Sequence, residues 1–384
     1  MTGLSRDIGI IGYGSARYDK KPRQSLFGYM AEAARNALAS AGVAKHEVDG
    51  LAADMTNTPD TAVTMAEYFG LTTTWSHSGS SGGTGALLSV ARAIRAVEEG
   101  QANYVLCIGA GAQDVAAFKQ RVTRFNSAIM DYMMPHGFGG MPGIFALIQR
   151  KHMETYGTTR AQLGRVSVDL RANARQNDAA LLRGPMELDD YLNAPVIADP
   201  LGLYDCVMPC SGGEAVLVGP LDRVPREKGV RMLSVRESNN YPANQIVPLN
   251  GGWEAFRDDM YGQAGYGPSD MDFVQLYDDF PIMAAIQIED LGFCPKGEVG
   301  RFLEDNRLTF DGSFPVNTGG GQLSCGQAGG SAGLLSVVEA TRQLRGEGER
   351  RQVPGARRGV VSGFGMISFG RGLAAAAAVM EQNR

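Results

Sequence analysis

The chain has 384 residues, 44% of them hydrophobic and 20% charged, with a net charge of −5. This is the profile of a globular protein of one large or two ordinary domains. Mild acidity without a run of one sign argues against nucleic acid and anionic membrane as partners. No apolar stretch approaches the roughly 20 residues of a membrane span, and the N-terminus lacks signal-peptide anatomy, so a cytoplasmic location is expected.

In chain order, Ile8 to Ile11 reads as a buried strand followed by Gly12-Tyr13-Gly14. That GxG lacks the third glycine and the acidic residue of a dinucleotide fingerprint, so it is a weak signal. Ser25 to Ala41 has helical apolar spacing and ends at Gly42, a C-cap signal. A strand over Val48–Ala53 and a helix over Thr61–Phe69 follow, then a Gly/Ser turn, a helix from Thr84 to Glu99, and an apolar strand over Tyr104–Gly109. Strands that are apolar throughout, with helices between them, point to a sheet covered on both faces. From Ala112 to Leu203 the pattern breaks into a Met-, Arg- and Gly-rich helical insertion. The β/α order then resumes with strands at Ala215–Val218, Arg231–Val235 and Asp272–Leu276 and a helix at Ile282–Leu291. Closing strands are expected at Val360–Phe364 and Gly372–Met380.

The chain repeats itself. Ser80 to Val90 reads SSGGTGALLSV, and Ala328 to Val338 reads AGGSAGLLSVV. Gly82, Gly83, Leu87, Leu88, Ser89 and Val90 recur as Gly329, Gly330, Leu334, Leu335, Ser336 and Val337 at one constant offset. Thr84 recurs as the hydroxyl of Ser331, and Arg95 as Arg342. One α/β unit has been duplicated, and two such units can pack face to face with their Gly-rich turns converging. A Gly/Ser turn that opens a helix gathers free N–H groups and the positive helix end at one point, which suits an anion or oxyanion. Close helix packing alone would also require these glycines.

Five cysteines in a chain of this size read as reduced thiols. Cys206 and Cys210 have no second Cys or His pair nearby, and the four histidines are scattered, so no metal site is expected.

These residues resemble the thiolase superfamily, and within it the sterol-carrier-protein/lipid-transfer type of thiolase-like proteins. The similarity runs over essentially the whole chain. It rests on the duplicated unit, Gly79-Ser80-Ser81-Gly82, Gln275-Leu276-Tyr277-Asp278-Asp279-Phe280 and Glu289-Asp290-Leu291-Gly292-Phe293-Cys294. Asn317-Thr318-Gly319-Gly320-Gly321-Gln322-Leu323-Ser324 and Ser362-Gly363-Phe364-Gly365 complete it. The resemblance implies an α/β thiolase fold, a five-layer αβαβα sandwich of two duplicated halves. The halves would be residues 1–228 and 229–384, with an inserted loop domain at 112–203. It also implies a homodimer or higher oligomer, and a coenzyme A thioester as substrate with no covalently bound cofactor.

The chemical positions depart from the family. Its nucleophilic cysteine falls on Gly79, the histidine of its Gly-His-Pro falls on Gln327 of Gly326-Gln327-Ala328, and its Asn-Glu-Ala-Phe falls on Tyr277-Asp278-Asp279-Phe280. The second family cysteine falls about Ser362 to Gly363. A neutral amide such as Gln327 does not titrate, so transfer through a cysteine at the usual place is not expected. The remaining chemistry is retro-aldol or Claisen-type carbon–carbon cleavage or formation, paired in some relatives with a zinc-ribbon/OB-fold partner. It requires a base and an oxyanion site. Tyr277, Asp278 and His136 are the base candidates, Gln327 a further donor, and Cys325 a possible relocated thiol. The backbone at Gly79, Ser80, Ser81, Gly82, Gly320 and Gly326 would hold the thioester. An acyltransferase with displaced catalytic groups and a non-catalytic CoA- or lipid-binding subunit remain open alternatives.

Overall fold

The computed structural model describes residues 4–54, 58, 60–79, 81–368 and 371–383. The first half runs β1 (Ile8–Asp19), α1 (Leu26–Ala41), β2 (Gly50–Asp54), α2 (Ala62–Phe69), β3 (Trp75–Gly79), α3 (Thr84–Glu98) and β4 (Val105–Gly111). An excursion follows: α4 (Val115–Val122), α5 (Met141–Tyr156), α6 (Arg160–Arg175), α7 (Leu188–Leu192) and the ribbon β5 (Val196–Ala198) and β6 (Leu201–Gly202). The chain then returns through β7 (Ser211–Pro220) and β8 (Val230–Asn239) to α8 (Arg257–Ala264), β9 (Phe273–Gln275), α9 (Pro281–Asp290) and α10 (Val299–Asp305). It ends with α11 (Gly321–Cys325), α12 (Ala332–Leu344), β10 (Arg358–Ser368) and β11 (Arg371–Gln382).

The duplication is visible in the strand order β3-β2-β4-β7-β1-β8-β11-β10-β9. In the first half β2 runs parallel to β4, and β4–β7 and β7–β1 are antiparallel. In the second half β9 runs parallel to β10, and β10–β11 and β11–β8 are antiparallel. Where β3 pairs with β2, the second half has only the parallel bridge Val274–Val316. The two half-sheets touch at the single pair Ile10–Val230.

Side-chain alternation builds the layers. Along β4, Val105 and Cys107 enter a central core with α3 and α12, and Leu106 and Ile108 enter an outer core with α1 and α2. Along β11, Ala376, Ala378 and Met380 face the central core, and Ala375, Ala377 and Val379 face the outer core that holds α5, α8 and α9. The result is the expected five-layer order, helices–sheet–α3/α12–sheet–helices. The excursion folds back over the second half. Asn173 of α6 donates to Val316 O at 2.9 Å, and its Oδ1 accepts from Phe310 N at 2.9 Å.

The GxG of β1 does not end a strand. β1 continues to Asp19, and α1 lies directly on the glycines. A Cβ on Gly12 would fall 2.4 Å from Ala37 O, and one on Gly14 2.3 Å from Ala37 N. α1 itself begins at the Ser25 cap and stops at Gly42 in the left-handed conformation. β3 escapes a hydrophobicity reading because it is a sheet edge whose Ser76 and Ser78 face outward.

Candidate active site

The two Gly-rich turns brace against each other's half. A Cβ on Gly365 of β10 would lie 2.2 Å from Ser81 O, and one on Gly363 2.5 Å from Gly83 O. Reciprocally, a Cβ on Gly109 of β4 would lie 2.2 Å from Gly330 O, and one on Gly111 2.6 Å from Ala328 O. Gly82 and Gly329 both hold positive φ, +60° and +55°. The turns therefore need glycine for close backbone approach. They also line a cleft of about 1030 Å³, counting its mouth. Gly82 and Gly83 enter from one half and Gly329, Gly330 and Gly333 from the other. The walls are mostly apolar and aromatic: Phe118, Phe125, Met141, Phe145, Phe280, Phe364 and Ile367. Phe145 stacks on Phe280 at 4.1 Å.

Tyr277, Asp279, Gln327, Asp54, Gln113, Arg121 and Cys206 supply the polar side chains of the cleft. Tyr277 is buried, its ring packed so closely on the first turn that a Cβ on Gly83 would lie 2.1 Å from its Cε2. Its hydroxyl lies 3.5 Å from Gln327 Nε2, which also donates to Gln322 Oε1 at 3.1 Å. Burial, then the charges of Asp279 and Asp54, hold the Tyr277 phenol well above its ordinary value. This phenol keeps its proton. Asp279 is buried beside it with Oδ1 lacking a hydrogen-bond partner among the described residues, and burial, then Asp278, holds its carboxyl well above the ordinary range. Asp54 ends β2 between the turns. Its Oδ1 would be 3.0 Å from a Cβ on Gly330, and its Oδ2 3.4 Å from one on Gly85. Arg121 of α4 donates to Gln113 Oε1.

The remaining sequence candidates lie elsewhere. Asp278 points away from the cleft and caps α11, accepting from Gln322 N at 2.9 Å and Leu323 N at 3.2 Å, and burial pushes its carboxyl up to about 7. His136 ends a short turn of the excursion, exposed and outside the cleft. Cys325 faces a second, polar cavity with Tyr18, Glu214, Glu339 and Arg342. Its Sγ donates to Gly319 O at 3.1 Å, and burial pushes the thiol up to about 12. Of the glycines and serines, Gly82 lines the cleft. Gly79 ends β3 beneath Ser89 Oγ, Ser81 lends its carbonyl to Thr84 Oγ1, Gly320 packs on Ala174 and Gly326 on Cys210. Ser80 lies outside the described residues. Ser362 sits in mid-β10 and donates to Gln287 Oε1.

The cleft contains three acidic or thiol groups that the motif reading passed over as site residues: Asp54, Asp279 and Cys206. Asp279 had a signal. In an extended run, residues two apart share a face, so Tyr277 and Asp279 point together and Asp278 opposes them. The Cys206 thiol donates to Gly202 O, and burial, then Asp205 and Asp279, pushes it up to about 12. It is not activated, and no imidazole lines the cleft among the described residues. Nor do the described residues gather three or more Asp, Glu, His or Cys as a metal site, and none of their helices is long and apolar enough to cross a membrane.

Known proteins share this architecture. Residues 252–377 match the thiolase C-terminal domain-like family. The chain is 32% identical over 368 residues to the 17-hydroxy-3-oxo-4-pregnene-20-carboxyl-CoA lyase of Mycobacterium tuberculosis, covering 89% of this chain and 92% of that one. It is 30% identical over 377 residues to the acetyl-CoA acetyltransferase of Methanothermobacter thermautotrophicus, covering 94% and 96%. The solved Ltp2-ChsH2(DUF35) aldolase superposes with a TM-score of 0.85 at 27% identity, covering 99% of both chains. Together with the five layers and the glycine at the nucleophile's position, these findings establish that the chain belongs to the thiolase superfamily, as a sterol-carrier-protein/lipid-transfer type member lacking the usual nucleophilic cysteine.

Proposed function

We propose that the protein splits a 3-hydroxyacyl-CoA thioester by retro-aldol cleavage, with no covalent cysteine intermediate. The observation that carries this reading is the grouping of Tyr277, Asp279 and Gln327 in one apolar cleft where the two Gly-rich turns meet. Asp279, made more basic by burial, takes the proton of the 3-hydroxyl. The C2–C3 bond then breaks: C3 becomes a carbonyl, and the electron pair passes into the thioester enolate. Tyr277 and Gln327 donate to the enolate oxygen, and a proton returned to C2 releases the shortened acyl-CoA. This assigns Tyr277 as donor, because its phenol is driven up. Arg121 is the cation placed in the cleft to meet a CoA phosphate. The Ltp2-ChsH2(DUF35) aldolase is named for two components, and we extend to this chain a small zinc-ribbon/OB-fold partner.

One observation favours a second reading. Cys206 is a thiol inside the cleft, and acyl transfer through it would leave an adduct.

The test is cleavage of a panel of 3-hydroxyacyl-CoA thioesters, with the partner present, read by mass spectrometry of both products. Tyr277→Phe and Asp279→Asn should each lower kcat by about 100-fold or more. No cleavage across the panel would remove the aldolase reading. An acyl mass that survives denaturation and disappears in Cys206→Ala would establish the transferase instead.

A further inference from the structure

We infer that Ser362 is a positioning residue: through Gln287, its hydroxyl fixes Tyr277 in the cleft. This rests on the donor role proposed for Tyr277.

Residues 276–279 are neither strand nor helix, yet they are buried, so their backbone groups need partners. Two side-chain amides supply them for Leu276 and Tyr277. Asn317 Oδ1 accepts from Leu276 N at 2.6 Å, and its Nδ2 donates to Leu276 O at 3.1 Å. Gln287 Oε1 accepts from Tyr277 N at 3.0 Å, and its Nε2 donates to Tyr277 O and to Met283 O, both at 2.8 Å. Gln287 thus holds both ends of the Tyr277 peptide frame.

An amide can turn over and exchange its oxygen and nitrogen, which would break both contacts to Tyr277. Ser362 opposes this. Its Oγ donates to Gln287 Oε1, so that oxygen receives two donors while the nitrogen faces two carbonyls. Gln287 and Ser362 are both fully buried, so water does not substitute for either. The chain of contacts runs from β10, whose Gly363 and Gly365 brace the first Gly-rich turn, to α9 and then to Tyr277. At its far end the Tyr277 hydroxyl stands at 3.5 Å from Gln327, the outer limit of a hydrogen bond. A shift of a few tenths of an ångström there makes or breaks the contact.

The experiment uses the full chain labelled with 13C at the tyrosine ring carbon that bears oxygen. Thirteen tyrosines give thirteen resonances, and that of Tyr277 is the one lost in Tyr277→Phe. In Ser362→Ala the Tyr277 resonance should shift or split, and in Ser362→Thr, which keeps the hydroxyl, it should stay. With a cleaved substrate, kcat of Ser362→Ala should fall about tenfold at unchanged KM. The same change in the Tyr277→Phe background should cost nothing further. If alanine does not fold, Ser362→Cys keeps the volume, weakens the donor and is read the same way. An unmoved Tyr277 resonance overturns the inference. Full activity in Tyr277→Phe would instead overturn the donor role, and the resonance would still report whether Ser362 holds that residue.

Discussion

The two Gly-rich turns are copies down to one hydrogen bond. Thr84 Oγ1 donates to Ser81 O at 2.7 Å, and its counterpart Ser331 Oγ donates to Ala328 O at 2.9 Å. Both turns brace on glycines of the opposite half. About two turns along the helix the copies part. The first helix places Arg92 outward, touching His77. The second places Glu339 at the equivalent position, buried between Arg342 and Arg351 beside the polar cavity. A duplicated backbone fixes where helices start and strands pair. The side chains beyond it are free to build an apolar reaction cleft on one side and a closed ionic cluster on the other.

The largest break in this comparison should come from that pair. Burial alone would raise the Glu339 carboxyl, but Arg351, then Arg342, bring it down to about 2. A depressed carboxyl contributes stability that is present above its ordinary value of about 4.3 and is lost as pH falls through about 2. Glu339→Gln should therefore cost about 3 kcal/mol at pH 7, by stranding the buried Arg351 and the partly buried Arg342. It should also flatten the acid limb of urea denaturation between those two values. Arg92→Gln should stay within about 0.5 kcal/mol.

Next come the paired glycines. Gly83→Ala drives a Cβ into the Tyr277 ring and into Phe364 O at 2.5 Å. It should cost about 3 kcal/mol and most of the activity. At the equivalent Gly330 the nearest atom is the Asp54 carboxylate at 3.0 Å, so Gly330→Ala should cost about 1 kcal/mol in the same denaturation assay. Equal costs would show that the cleft does not distinguish the two turns.

The smallest effect tests the likeness itself. Thr84→Ala and Ser331→Ala each remove the hydrogen bond to the same carbonyl position, Ser331→Ala also giving up a 3.5 Å contact with the Tyr18 hydroxyl, and each should cost about 1 kcal/mol. A difference beyond the error of the midpoints would mean that the turns carry unequal load.

Much of this was legible without coordinates. The repeat marked both turns, the apolar runs marked strands covered on two faces, and Ser25 and Gly42 bounded α1. Tyr277 and Gln327 could be placed together because each stands in a recognisable motif. Cys325 could not be placed, because a thiol two residues from Gln327 can face either cavity, and the short helix α11 turns it into the polar one. His136 sat in a segment without periodicity, so nothing fixed its direction.

By itself, the sequence determined most of the elements and their duplication, because periodicity, caps and glycine requirements act locally and through backbone sterics; the glycine at the nucleophile's position was legible only through the family resemblance. Only the tertiary structure decided the membership of the cleft. Asp54, Arg121, Cys206 and Asp279 come from β2, α4, a loop after β6 and the segment before α9, separated in sequence and joined by the crossing of two half-sheets. The proton affinities of Tyr277 and Asp279 were decided there too, because burial and neighbouring charge are properties of the assembled layers and not of either residue.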